Sequence, residues 1–101
     1  MMAGQPLTVV KIGGRFAEDD SSILSLAEEL KDLILQGNRV LLVHGGGVVI
    51  SQIQEKYGVV PRFIQGLRQT APEEMPLVDM ALAGLVNKRL VRLFIRTGIS
   101  A

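Results

Sequence analysis

The 101-residue sequence contains no cysteine, so disulfides and thiolate metal centres are excluded. Its single histidine, His44, argues against a histidine-rich metal site. No apolar run approaches the roughly 18 residues expected of a membrane-spanning helix. Met1 to Thr8 lacks the apolar core of a signal peptide. A cytoplasmic protein with no membrane partner is therefore expected. There is also no excess of either charge. Eleven basic and ten acidic residues leave a net charge of +1, without blocks of one sign. That balance is no footprint for nucleic acid, and any anion binding must be local. Neither an internal repeat nor a low-complexity linker divides the chain, and its length suits one small domain.

What the sequence does have is 48% hydrophobic residues, enough for a core, and glycine in telling places. Val40-Leu41-Leu42-Val43 runs directly into His44-Gly45-Gly46-Gly47, and a helical pattern follows from Val48 to Tyr57. A buried strand that ends in a glycine turn at a helix N-terminus is suited to an anion. Free backbone N–H groups point outward there, and the absence of Cβ atoms lets oxygens approach them. Leu7 to Ile12 is a second apolar run, and it ends at Gly13-Gly14. Lys11, near its end, is costly unless its ammonium reaches solvent or an anion.

Between these runs, Ile23, Leu26, Ala27, Leu30, Leu33 and Ile34 recur at helical spacing. Asp20, Ser21 or Ser22 can cap that helix, and Gly37 is expected as its left-handed terminator. Strand, helix, strand without alternation predicts a βαβ unit in a parallel sheet covered on both faces. The two glycine turns would then lie side by side at the carboxyl ends of their strands, where such sheets bind ligands. Lys11 and His44 would flank a pocket for phosphate or carboxylate, with His44 bonding to backbone.

Downstream, Val59 to Ile64 is extended, but Pro61 predicts an edge or a short hairpin piece. Gly66 to Thr70 reads as a loop, in which Arg68 offers a planar guanidinium suited to a carboxylate. Thr70-Ala71-Pro72-Glu73 fits a capping box. Pro76 either sits in the second turn with a kink or begins the regular helix. The apolar pattern from Leu77 to Ile95, interrupted by Gly84, allows one long bent helix or two. Asn87-Lys88-Arg89 reads as a solvated helix face. The Walker-type phosphate loop and the G-x-G-x-x-G pattern are both absent.

Four stretches taken together resemble the amino-acid kinase family, and within it the N-acetylglutamate kinases of arginine biosynthesis. They are Val10-Lys11-Ile12-Gly13-Gly14, Val43-His44-Gly45-Gly46-Gly47, Gly66-Leu67-Arg68-Gln69-Thr70 and Met80 to Lys88, in the family's order and spacing. Gln69 departs from the family's usual valine. The resemblance implies a three-layer αβα sandwich with a mainly parallel sheet. It also implies transfer of the ATP γ-phosphoryl group, with Mg2+, to the side-chain carboxylate of N-acetyl-L-glutamate. By resemblance, Lys11 is the catalytic charge-stabilising lysine. Gly13, Gly14 and Gly45 would join it at the ATP phosphates, Gly46 and Gly47 would line the acetylglutamate site, and Arg68 would hold the substrate's α-carboxylate. A homodimer formed through the Leu77–Ile95 helix is implied as well.

Family members are more than twice as long, so residues 1–101 would be the N-terminal, acetylglutamate-binding part. The nucleotide-binding half lies outside them, and the chain alone is expected not to turn over ATP. Only Met1 to Pro6 precede the first strand, from which no hexamer and weak or absent arginine inhibition are expected. Two related readings are a non-catalytic amino-acid-sensing domain, as in N-acetylglutamate synthase, and an aminoadipate-carrier kinase of lysine biosynthesis. A third is a truncated domain that serves only for assembly.

Overall fold

β1 (Leu7–Ile12) and β2 (Arg39–His44) pair in parallel, with Leu7 opposite Arg39 and Ile12 opposite His44. Both runs are rich in β-branched residues and free of proline and glycine, which suits an extended ladder. The connection between them carries a short 3-10 turn, Gly14–Glu18, and α1 (Asp20–Leu35). In this computed structural model, which describes residues 4–101, the expected βαβ unit is therefore present. The expectation that rested on Met1–Pro6 falls in part on residues 1–3, outside the described residues.

α1 is terminated as its sequence predicts. Gly37 takes φ 94, its N–H reaches Ile34 O at 3.0 Å, and Asn38 N–H reaches Leu33 O at 3.1 Å. A residue with a Cβ would be strained in that left-handed position. The start of α1 differs from the expectation by one residue. Asp19 flanks the helix and accepts hydrogen bonds from the hydroxyls of Ser21 (3.0 Å) and Ser22 (2.6 Å). Those two hydroxyls are donors to Asp19 rather than caps themselves.

α2 (Gly47–Lys56) follows the glycine triplet. The chain then forms a small antiparallel hairpin from β3 (Phe63–Ile64) and β4 (Leu67–Arg68). Its turn residues Gln65 and Gly66 both have positive φ, 51° and 79°, the backbone hand that matches twisted hairpin strands. The short hairpin expected before Gly66 is thus observed. Arg68, however, lies on a strand rather than in a loop, because Phe63 pairs across from it.

The capping box is shifted by one residue. Glu74 Oε2 accepts from the Ala71 N–H at 3.0 Å, closing a 3-10 turn over Pro72–Glu74. Pro76 sits at the start of α3 (Met75–Asp79), where its missing N–H has no helical partner to lose. From there the helical path is unbroken. It passes through a π-helical segment, Met80–Val86, which contains Gly84, into α4 (Asn87–Arg96). One helical path rather than two separate helices is the outcome.

The core lies on one face of the two-stranded sheet. Ile12, Ala17, Ile23, Ala27, Leu30, Val86, Leu90, Leu93 and Phe94 form a buried cluster, with Val10, Val40 and Leu42 packed against it. Ile23 and Leu90 are the largest fully buried apolar side chains, and truncating either to alanine should cost about 2–5 kcal/mol. A smaller cluster of Ile50, Ile53 and Ala81 joins α2 to the π-helical segment. The opposite sheet face carries Leu7, Val9, Leu41 and Val43, all exposed. Helices on both faces were expected; among the described residues only one face is covered, since α1 and α4 pack on the same side.

Candidate functional site

Both glycine turns lie at the carboxyl ends of neighbouring strands, as the parallel register requires. They are built differently. A Cβ placed on Gly13, Gly14 or Gly45 would meet nothing within 4 Å, so open space stands before each. An oxygen of a phosphate can reach the backbone there without displacing protein atoms. At Gly46 a Cβ would come within 2.9 Å of both Leu82 Cδ2 and Val86 Cγ2. That glycine is required by the helix lying against it. At Gly47 the nearest group is Arg68 Nη2, at 3.7 Å.

Side chains from distant elements hold the second turn. His44 Nδ1 lies 3.0 Å from Gly45 O, and Nε2 lies 3.2 Å from Asn87 Nδ2. A carbonyl can only accept, so Nδ1 carries the proton and Nε2 accepts from the Asn87 amide. Asn87 Oδ1 in turn accepts from the Lys88 ammonium at 2.9 Å. His44 is thus the structural, backbone-bonded histidine that the sequence suggested.

Arg68 reaches the same turn from the hairpin. Nη2 donates to Gly47 O at 2.8 Å and to Ser51 Oγ at 3.0 Å, and Nη1 donates to Gln54 Oε1 at 2.6 Å. Its Cζ lies 4.7 Å from the Phe63 ring centroid, a cation–π contact made by the cross-strand partner. Gly47, Ser51, Phe63 and Arg68 line one open cleft of about 460 Å³, with Glu55 at its solvent side. A second cleft, of about 300 Å³, brings Gly14 and Gly46 together beside Gln52, Arg89 and Arg92.

Lys11 stands apart from these clefts. It pairs with Val43 while Ile12 pairs with His44, so the Lys11 and His44 side chains leave opposite faces of the sheet. Lys11 is exposed beside the open apolar face and makes no ion pair among the described residues. The pocket flanked jointly by Lys11 and His44 is therefore not formed, because alternation along paired strands separates them.

The Asn87-Lys88-Arg89 stretch is also more than a solvated face. Arg89 bonds to Ala17 O, Glu18 O (2.8 Å) and the Asp20 carboxylate, fastening the turn after β1 to α4. These contacts span about seventy positions, and no local pattern carries them. Gln54 did leave a trace. It stands four residues after Ile50 and beside Ile53, a polar residue within an apolar stripe.

A family model described as the amino acid kinase family matches residues 6–101. The chain belongs to the amino acid kinase family. Among curated relatives it is 41% identical to an acetylglutamate kinase of Archaeoglobus fulgidus over 90 residues, covering 89% of this chain and 31% of that one. It is 42% identical to an acetylglutamate kinase of Methanopyrus kandleri over 95 residues, covering 94% and 35%. The chain thus spans about a third of the length of the curated relatives it matches. Among solved structures it superposes on smu.665 of Streptococcus mutans with a TM-score of 0.79 at 34% identity, covering 94% of this chain and 38% of that one. N-acetylglutamate synthase of Neisseria gonorrhoeae, complexed with coenzyme A and N-acetyl-glutamate, gives 0.65 at 28% identity, with 93% and 22% covered. As the resemblance implied, the chain has the α/β fold of this family. No helix of the described residues is long and apolar enough to cross a membrane.

Proposed function

We propose that this chain is the acetylglutamate-binding part of an ATP-dependent acetylglutamate kinase acting in arginine biosynthesis. The observation that carries the reading is the seating of Arg68 against Gly47, with Nη2 at 2.8 Å from its carbonyl. A guanidinium beside a glycine turn and a helix N-terminus provides both charge and backbone donors for a carboxylate. In this reading Arg68 holds the α-carboxylate of N-acetyl-L-glutamate, and Gly46 and Gly47 form the floor under the substrate. The open turns at Gly13, Gly14 and Gly45 suit the phosphates of ATP; Lys11, which the resemblance assigns to their charge, would have to reach them around the strand end from the other sheet face. Mg2+ would enter as the counter-ion of those phosphates. Transfer of this kind depends mainly on positioning and charge neutralisation, which is what these residues can supply.

The rest of the kinase would be contributed by residues outside this chain, so the 101 residues alone should not turn over ATP in a coupled ADP-release assay. A homodimer through the helical path of residues 75–96 is proposed on the exposed Met75, Met80, Leu85 and Ile95. Light scattering would test it. Calorimetric titration with N-acetyl-L-glutamate, comparing the chain with Arg68→Ala, tests the central reading. Binding that is lost or weakened at least tenfold by the substitution is expected, and equal affinity would remove Arg68 from the site.

A second reading, a domain that senses an amino acid without catalysis, draws on the likeness to N-acetylglutamate synthase. Its test is titration with L-arginine. Binding of arginine but not of N-acetyl-L-glutamate would favour it.

A further inference from the structure

Arg68 is more fully occupied than a waiting carboxylate grip should be. A guanidinium has five N–H donors, and its two parallel pairs are Nη1 with Nη2 and Nε with Nη2. Both pairs need Nη2. Here Nη2 already serves two acceptors, Gly47 O and Ser51 Oγ, one for each of its hydrogens. The donors left over are Nε–H and one hydrogen of Nη1, which do not lie side by side. A carboxylate can be gripped by two parallel hydrogen bonds only if one contact of Nη2 opens.

The three contacts are unequal in what opening them requires. Gln54 is only 1% exposed, and its Oε1 holds Nη1 at 2.6 Å. Its side chain has no room to swing away. Gly47 O is backbone, in the first turn of α2, and cannot leave without moving the chain. Ser51 Oγ is half-buried, belongs to a side chain with one rotatable bond, and faces the cleft that Arg68 lines. It is the contact that can rotate aside.

We propose that Ser51 is a built-in competitor for Arg68: its hydroxyl occupies the Nη2 donor that an incoming carboxylate needs, while buried Gln54 fixes the guanidinium's direction. Ser51 is released when the carboxylate binds, and Gln54 stays as a positioning residue. The inference rests on the reading of Arg68 as a carboxylate grip and adds the device that governs its affinity. The free site is then self-satisfied, with no bare fork facing solvent. Gln54 Nε2, buried without a partner among the described residues, is the cost of placing an amide there to hold Nη1.

The test combines nitrogen-15 NMR of the arginine side chains with calorimetry, on the whole chain. In the free chain, contacts on both terminal nitrogens hinder rotation about the Cζ–Nη bonds. Arg68 should therefore give separate Nη proton signals at low temperature, assigned by their loss in Arg68→Lys. One averaged signal would overturn the proposal whatever the chain binds. Titrated with N-acetyl-L-glutamate, Ser51→Ala is expected to bind about three- to tenfold more tightly, since the guanidinium–hydroxyl bond, whose loss is partly offset when the freed serine meets water, no longer has to break. Unchanged or weaker binding by Ser51→Ala would overturn the competitor role.

Gln54→Leu is expected to bind at least about tenfold more weakly, with an unchanged or higher melting temperature because the orphaned Nε2 is gone. A melting temperature that falls together with affinity would reduce Gln54 to a packing residue. Resolved Arg68 signals in a chain that does not bind N-acetyl-L-glutamate would support the contact geometry and count against the kinase reading. The Ser51→Ala comparison is then made with glutarate, where tighter binding again supports the competitor and equal binding overturns it.

Discussion

The two glycine corners look alike in sequence, each an apolar strand that runs into consecutive glycines, yet the structure gives them different work. At the first corner, Gly13 and Gly14 face open space. Among the described residues, the long-range fastening nearby is Arg89, which ties the following turn to α4. The second corner is gripped from several sides. Leu82 and Val86 press on Gly46, Asn87 and His44 fix Gly45 O, and Arg68 seizes Gly47 O. Identical residues therefore face open space at the first corner and, at Gly46, close packing in the second. A glycine that answers to a neighbouring helix cannot be read from its own strand.

The sharpest way to break this comparison is alanine at one glycine of each corner. Gly46→Ala forces a methyl group to within 2.9 Å of two side chains, and should destabilise by about 1–3 kcal/mol. For a domain of this size that is a fall of roughly 4–8 °C per kcal/mol in melting temperature, readable by calorimetry. Gly13→Ala has open space and extended backbone at φ −138°, so its melting temperature should hold or rise slightly. Equal destabilisation by both substitutions would erase the distinction between the corners.

Arg89→Ala removes the tie that holds the first corner. It should cost about 1–2 kcal/mol, discounted because the Asp20 partner is largely exposed. Hydrogen exchange should quicken at residues 14–19, and exchange confined to α4 would contradict the tie. A smaller effect is expected at the second corner from a double-mutant cycle of His44→Ala and Asn87→Ala. Their coupling should be about 0.5–1.5 kcal/mol, and additive losses would remove the hydrogen bond from the account.

The smallest effect concerns the entry to α1. Hydrogen bonds from Ser22 and then Ser21 hold the Asp19 carboxyl below its ordinary value of 3.8. A carboxyl lowered on folding favours the folded state above the unfolded value, and that advantage disappears as the pH falls through the folded value. Asp19→Asn should therefore narrow the stability gap between pH 6 and pH 2 slightly and leave neutral-pH function untouched. A wider gap in the variant would contradict the sign.

Much of this was legible along the chain. The helical spacing of Ile23 to Ile34, the stop at Gly37, the two apolar strands and the short hairpin after Pro61 all follow from local rules, and all are observed. Arg68 reads in the sequence as a loop guanidinium suited to a carboxylate, but its strand position depends on Phe63 across the hairpin and its seat on Gly47 O, 21 positions away. The pairing of Lys11 with His44 in one pocket failed for a different reason. His44 ends its strand and Lys11 is next to last in its own, so the register sets them one step out of phase and turns them to opposite faces. Ser51, Gln54, Asn87 and Arg89 acquire their roles from partners 14 to 72 positions away, which no window of neighbouring residues contains.

What the amino-acid order settled alone is the set of elements and their chemistry: which runs extend, which coil, where glycine bares the backbone, and that the chain belongs with the amino acid kinase family in motif and spacing. What only folding in three dimensions decided is which glycine is pressed by a helix, which face Lys11 takes, and how many donors Arg68 has left. Periodicity acts between residues a few steps apart, whereas steric contact and hydrogen-bond saturation arise between atoms that meet only once the chain has closed on itself.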